Sequence, residues 1–218
     1  MWEMPCQDQD MPHTKTDDSP FLDQDAKAQL RERKRDALLL AAVRMFNERG
    51  YHATSLDDVA ARLGVSKPVV YHYLGNKEQV LLRCMARGLQ ELQEAFTAGR
   101  TTGGTGLDRL HRFLVGYAEV NMTDFGRCVI RTGDEVLSPD NRAAFRADKR
   151  VIDDQLRGLV EAAVADGSAE VEDVRFATFA IAGALNWPAR WHREDGELSL
   201  RAVAEKLVGF LVDGLRPR

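Results

Sequence analysis

Long apolar runs are missing from this chain. No stretch of about 18 apolar residues occurs, so the sequence offers no membrane span. Cysteine is scarce: Cys6, Cys84 and Cys128 are odd in number and widely spaced, which argues against a disulfide framework and fits a reduced cytoplasm. The N-terminus carries acids and prolines where a secretory signal carries a basic segment and then an apolar one. Metal-ligand spacing is absent among His13, His52, His72, His111 and His192, and no glycine-rich phosphate loop follows a strand pattern. Asp134 and Glu135 are neighbours, but adjacent acids on a helix point apart and read as surface charge. No cofactor, metal or enzymatic activity is expected.

What is present is an uneven distribution of charge. The net charge is −4, with residues 1–28 at −5, residues 31–77 at +4 and residues 78–218 at −3. A basic segment inside an acidic protein is the asymmetry expected where one part meets phosphates.

Residues 1–28, rich in Asp, Gln, Pro and Met, read as a disordered tail. Leu38, Leu39, Ala42, Val43, Met45 and Phe46 then form the stripe of a helix of about 18 residues that Gly50 ends. Short helices follow at Leu56–Leu63, capped by Thr54 or Ser55, and from Ser66 to about Tyr73 with Pro68 in its first turn. A long helix starts near Lys77 and reaches about Ala98. After a Gly/Thr linker at 101–106, helical spacing governs the rest: Leu107 to Tyr117, a helix opened by Ser138-Pro139 and running to Gly167, Val174 to Trp187, and Ser199 to Leu215. No segment alternates as a strand. The expected class is all-α, with a helix-turn-helix domain at 29–76 and a helical ligand-binding and dimerisation domain at 77–218.

The run Leu56-Asp-Asp-Val-Ala-Ala-Arg-Leu-Gly-Val-Ser-Lys-Pro-Val-Val-Tyr-His-Tyr-Leu74 carries the most information. Ala60 supplies the small residue that two steeply crossed helices need at closest approach, and Gly64 the left-handed turn. Val59, Leu63, Val65, Val70 and Tyr73 are spaced for a shared core. Lys67, Val69, Tyr71 and His72 are left for the outer face of the second helix, which is of a size to enter a major groove.

Residues 31–85 resemble the DNA-binding domain of the TetR family of bacterial regulators. The resemblance lies in Phe46-Asn-Glu-Arg-Gly-Tyr51, Thr54-Ser-Leu-Asp-Asp-Val-Ala60, Gly64-Val-Ser-Lys67, Val70-Tyr-His-Tyr73 and Asn76-Lys-Glu78. It implies that Lys67, Val69, Tyr71 and His72 face the DNA groove, and that Thr54, Tyr71 and Lys77 bind or flank phosphates, with Ser55 and Ser66 among the contacts. It places Arg31, Arg33, Lys34 and Arg35 near the backbone or minor groove. Basic residues at a helix start oppose the dipole, so a local structural reason for them is weak. Pro68 stands where many members have Gly, a departure at the DNA-facing edge.

Two further stretches, Arg131-Thr-Gly-Asp-Glu-Val-Leu-Ser-Pro139 and Ala184-Leu-Asn-Trp-Pro-Ala-Arg-Trp191, resemble the branch of that family responding to acyl-CoA thioesters. The resemblance implies an effector site drawing on Phe113, Tyr117, Arg131, Phe145, Asn186, Trp187, Arg190 and Trp191. Pro188 cannot donate to the Ala184 carbonyl, so the helix must kink or end there. Small residues Ala180, Ala182, Gly183 and Ala184, with the Leu/Val face of the last helix, suggest a two-fold four-helix homodimer interface. The expected protein is a cytoplasmic repressor that leaves a near-palindromic double-stranded DNA operator when a small hydrophobic effector binds. Drugs, steroids or free fatty acids suit a Phe/Trp-lined cavity as well as acyl-CoA does, and a helical adaptor without a DNA role is the alternative of a different class.

Overall fold

The computed structural model describes the backbone of residues 20–100 and 103–217, and the side chains of residues 25–98 and 103–217. Among the described residues there are helices and no strands. Residues up to Lys34 form a unit of their own, of which the start of the first helix is described; Arg35 onward forms the second unit. Positions 1–19 of the expected tail lie outside the described residues.

Helix α1 (Pro20–Arg49) is longer than its apolar stripe implies. Residues 20–28 belong to it, which corrects the expected extent of the tail. The correction also removes the dipole argument about Arg31, Arg33, Lys34 and Arg35: these exposed residues sit in mid-helix, where the end charges have faded. Gly50 ends the helix with φ +86°.

Helices α2 (Leu56–Leu63) and α3 (Lys67–Leu74) form the helix-turn-helix. Ser55 caps α2 through its side chain, and Asp58 returns the bond to the Ser55 N–H at 2.9 Å. Gly64 follows in the left-handed region at φ +64° with open space around it, so glycine is needed for conformation and not for room. Ala60, Val59 and Val70 are buried as expected. Leu63 and Val65 are not: they are 39% and 36% exposed, and Leu56 and Leu74 fill the interior instead. Tyr73 is half-buried.

Helix α4 (Lys77–Arg100) packs on α5 (Gly106–Met122) and α6 (Asp124–Arg131). Asn76 and Gln79 cap its start reciprocally, at 2.9 and 3.0 Å. Gly126 lets α6 lie against the end of α5, because a Cβ there would collide with the Val120 carbonyl. A single 3-10 turn at Asp134–Val136 leads to α7 (Pro139–Ala165). Ser138 holds the N-cap position of α7, but its side chain makes no capping bond; the Ser138 N–H is taken instead by the Glu78 carboxylate at 2.7 Å. Helix α8 (Val174–Asn186) stops where Pro188 requires, and a short α9 (Pro188–Trp191) follows after Trp187. Helix α10 (Leu200–Asp213) closes the chain against α5 and α8. One continuous core runs from Leu38 to Leu215.

Candidate nucleic-acid interface and effector groove

Helix α3 turns Val70 and Leu74 inward, both fully buried, and leaves Lys67, Pro68, Val69, Tyr71 and His72 exposed. Val69 is 38% and Tyr71 50% exposed, so this face offers apolar contact surface beside the polar groups of Lys67 and His72. Lys67 is held by Asp57 of α2 at 2.6 Å. Both groups are well exposed, and such surface pairs are weak, so a phosphate or base edge can displace the carboxylate. Ser66 occupies the N-cap of α3 without a capping bond from its hydroxyl, contrary to the expected cap.

Beside this face lies a groove of about 430 Å³ lined by Ser55, Leu56, Tyr71, Asn76, Lys77 and neighbouring residues. The N-termini of α2 and α4 both open on it, so two positive dipole ends and the Lys77 ammonium converge. Lys77 reaches over the Tyr51 ring, 4.3 Å from its centroid, and bonds to the His52 carbonyl at 3.4 Å. Burial pulls its ammonium below the ordinary lysine range, with Asp58 acting in the opposite sense. Thr54 is also on this lining, with its hydroxyl proton spent inside the protein. It is 1% exposed, and its hydroxyl faces the carbonyls of Gly50 (2.9 Å) and Met45 (3.2 Å), fastening the end of α1.

The expected effector residues do not form one cavity. Phe113 is fully buried against Phe96 (5.6 Å between centroids) and Tyr117 (5.7 Å), and Phe145 is buried in the same core. The Tyr117 hydroxyl donates to Asn186 Oδ1 at 2.8 Å, and Asn121 Nδ2 donates to the same oxygen at 2.9 Å. Asn186 thus ties α5 to the end of α8, and burial raises the Tyr117 hydroxyl to about 12. None of Phe113, Tyr117, Phe145, Asn186 and Trp187 lines any of the four main grooves. The physical reason is close packing: aromatic rings at helical spacing have filled the interior with one another.

Arg131, Arg190 and Trp191 do come together, in a groove of about 630 Å³ between α1, α6 and α9. The sequence reading missed its other walls, Arg44 and Asn47 of α1, Arg127 of α6, and His192 to Asp195. Their signal was present in the arginines of α6 and in the His192 that follows Trp191. Trp187 stands apart, 62% exposed, in a stripe with Phe176 (73%), Phe179 (53%), Ala180 and Gly183 of α8. Phe210 of α10 is 80% exposed. The exposed large apolar residue of the last helix is therefore Phe210, while Val203, Val208 and Val212, with Leu215 just beyond the helix, are buried. No described helix is long and apolar enough to cross a membrane.

Residues 38–84 match the family described as "Bacterial regulatory proteins, tetR family", and residues 103–215 match "Tetracyclin repressor-like, C-terminal domain". The chain is 26% identical over 187 residues to the HTH-type transcriptional activator FasR of Mycolicibacterium smegmatis, covering 85% of this chain and 84% of FasR. It is 27% identical over 189 residues to the HTH-type transcriptional repressor KstR2 of Rhodococcus jostii, covering 84% and 91%. Its fold is similar to that of AibR solved with isovaleryl coenzyme A and operator DNA, with a TM-score of 0.73 and 24% identity over 84% of this chain and 98% of AibR.

Proposed function

We propose, since this chain belongs to the TetR family of bacterial regulatory proteins, that it is a homodimeric repressor acting in the cytoplasm, released from a near-palindromic operator by an acyl-CoA thioester. Members of the family are transcriptional regulators and not enzymes. The observation that carries the reading is the division of α3: Val70 and Leu74 anchor it, and Lys67, Val69, Tyr71 and His72 present an exposed face beside the cationic groove at Lys77. Such a helix enters a major groove while Tyr71, Ser55 and Lys77 take the flanking phosphate. The stripe of Phe176, Phe179, Gly183 and Phe210 pairs with its copy in a second chain and spaces the two recognition helices.

The effector half of the reading rests on Arg131, Arg190 and Trp191 sharing one groove, and on the fold being that of a regulator solved with a coenzyme A thioester. Phe113, Tyr117 and Phe145 are closed into the core, so an apolar chain entering between α5 and α7 must displace them. The ligand-bound packing therefore differs from the ligand-free one, and only that difference can shift the balance between DNA-bound and released states.

The test is fluorescence anisotropy on the intergenic DNA beside the gene. Binding is expected with wild type and lost in Tyr71→Ala/Lys77→Ala, which remains a dimer by sedimentation. Release is expected with acyl-CoA and not with CoA or the free acid; an equal response to the free acid or a steroid overturns the effector assignment. FasR, an activator by name, supports a second reading in which the bound protein promotes transcription; reporter output in a deletion strain separates the two.

A further inference from the structure

We propose that the groove between α1, α6 and α9 is a site for a phosphorylated nucleoside, and that a ligand there engages the DNA-binding half and the effector half at once. The site deepens the effector reading above, because the nucleotide end of an acyl-CoA is one source of that chemistry, but its evidence is separate.

The first observation is an imbalance of charge. The carboxylates on the groove are mostly spent: Asp124 on Arg44 at 2.8 Å, Glu48 on Arg62 at 2.6 Å, and Asp195 on Arg193 at 3.0 Å. Arg127, Arg131 and Arg190 remain, and among the described residues no carboxylate pairs with any of them. Glu194 is the only other acid on the lining, so the site carries a surplus of positive charge.

The second observation is unspent hydrogen bonding. Arg127 Nη2 lies 2.9 Å from the His192 carbonyl and 3.1 Å from His192 Nδ1. A guanidinium only donates, so Nδ1 accepts and the ring proton sits on Nε2. His192 is 7% exposed, yet its Nε2 has no partner among the described residues, and neither does the buried Arg127 Nε. Two buried donors on the same lining as the exposed Arg131 and Arg190 guanidiniums call for an oxygen-rich anion.

Asn47 refines the choice. Its Nδ2 donates to the Asp124 carbonyl at 2.8 Å, which fixes the amide, and its Oδ1 is buried without a partner. An acceptor beside an anion site disfavours a bare anion. It suits a phosphate whose carrier also brings a hydroxyl or amine, as a phosphorylated ribose does. Trp191, 48% exposed on the same lining, offers a flat face to a base. The groove volume is in the range of small-molecule sites.

The consequence is regulatory. Arg44 and Asn47 come from α1, whose end is fastened by Thr54 at the entry to the helix-turn-helix, whereas Arg127, Arg190 and His192 come from the effector half. A phosphate that competes with Asp124 for Arg44 changes the α1–α6 contact. The nucleotide therefore weakens operator binding, and the operator weakens nucleotide binding by the same factor.

The experiment titrates the full chain with adenosine 3′,5′-bisphosphate by calorimetry. Wild type binds, and Arg131→Ala/Arg190→Ala binds roughly 30-fold or more weakly, from the loss of two charge-assisted contacts. Both side chains are exposed, so an unchanged thermal transition certifies the fold of the variant; His192→Gln, which removes the Nε2 donor, supplies an independent second variant with weakened binding. Equal affinity in wild type and both variants, or no binding of the probe at millimolar concentration, overturns the site. Inorganic phosphate binding as tightly as the nucleotide overturns the nucleoside part. Release of operator by acyl-pantetheine as effective as by acyl-CoA, with the double variant responding normally to acyl-CoA, defeats this inference and leaves the effector reading intact. Nucleotide binding without any operator response to acyl-CoA does the reverse.

Discussion

Replacing Thr54 with Val separates a structural threonine from a DNA-contacting one. The substitution keeps shape and volume and deletes only the hydroxyl, at a position that is 1% exposed. The hydroxyl has one proton, shared between the Gly50 carbonyl at 2.9 Å and the Met45 carbonyl at 3.2 Å. Losing one such bond costs about 1 kcal/mol, and a buried carbonyl left short of a partner adds a comparable amount, for a total of about 1–2 kcal/mol. For a chain of this length each kcal/mol moves the midpoint by roughly 2–4 °C, so differential scanning calorimetry should register a fall of about 2–8 °C. Operator affinity measured well below that transition should stay within about two-fold of wild type, because the hydroxyl proton is spent on the α1 carbonyls and is not free for a phosphate. A tenfold loss of operator affinity with an unshifted melting curve would refute the reasoning and return Thr54 to the phosphate contacts.

Lys77→Ala should weaken operator binding for any sequence and flatten its salt dependence. One phosphate contact per protomer contributes about 0.9 to the slope of log K against log salt, hence about 2 for a dimer; an unchanged slope removes Lys77 from the interface. Phe179→Glu, in the middle of the exposed α8 stripe, should convert the dimer to monomer in sedimentation equilibrium, and a dimer of undiminished affinity would mean another face pairs. Alkaline pH should destabilise the chain through Tyr117. Its folded value of about 12 lies above the unfolded value of about 10, so the stabilisation is complete below pH 10 and is lost as pH rises toward 12, by about 3 kcal/mol. Tyr117→Phe should remove that dependence, and a denaturation midpoint that still falls by the same amount across pH 10–12 would assign it elsewhere.

Local signals were legible where the physics is local. Gly64, the Pro188 break and the Ser138-Pro139 start of α7 each follow from a backbone constraint that the residue carries with it. Which side of a short helix faces inward is not such a constraint. Helices α2 and α3 have eight residues each, about two turns, with apolar residues on more than one face. The pattern therefore could not tell Leu56 and Leu74, which are buried, from Leu63 and Val65, which are not. Cap positions were read correctly for Ser66 and Ser138, but whether a hydroxyl makes the bond depends on competing partners, and Glu78 claims the Ser138 N–H from 60 positions away. The start of α1 had a signal that went unused: Pro20, with Asp23 and Asp25 close behind it. The effector residues divided because resemblance names positions and packing assigns duties. Phe113 and Phe145 became core, Asn186 a tie, Trp187 an outward face, and only Arg131, Arg190 and Trp191 stayed together.

The placement of Lys77 and Glu78 shows how the two halves are joined. They are consecutive in the first turn of α4 and work in opposite directions. Lys77 turns to the DNA-side groove beside Tyr71, while Glu78 accepts the Ser138 N–H at 2.7 Å and Asn141 Nδ2 at 3.0 Å from the start of α7. These bonds hold the Glu78 carboxyl below its ordinary range. A second tie runs from Arg44 and Asn47 of α1 to Asp124 at the start of α6. Arg131 is the last residue of α6, and the short segment 132–138 leads from it to α7, so one tie ends on a wall of the candidate effector groove and the other on the helix that follows that wall. Rearranging that segment cannot leave the first turn of α4 untouched unless the Glu78 bonds break. Helix α1 and the start of α4, which precede and follow the helix-turn-helix, are thus tied to the effector half at two points, and a signal need not travel the length of α4 to reach them.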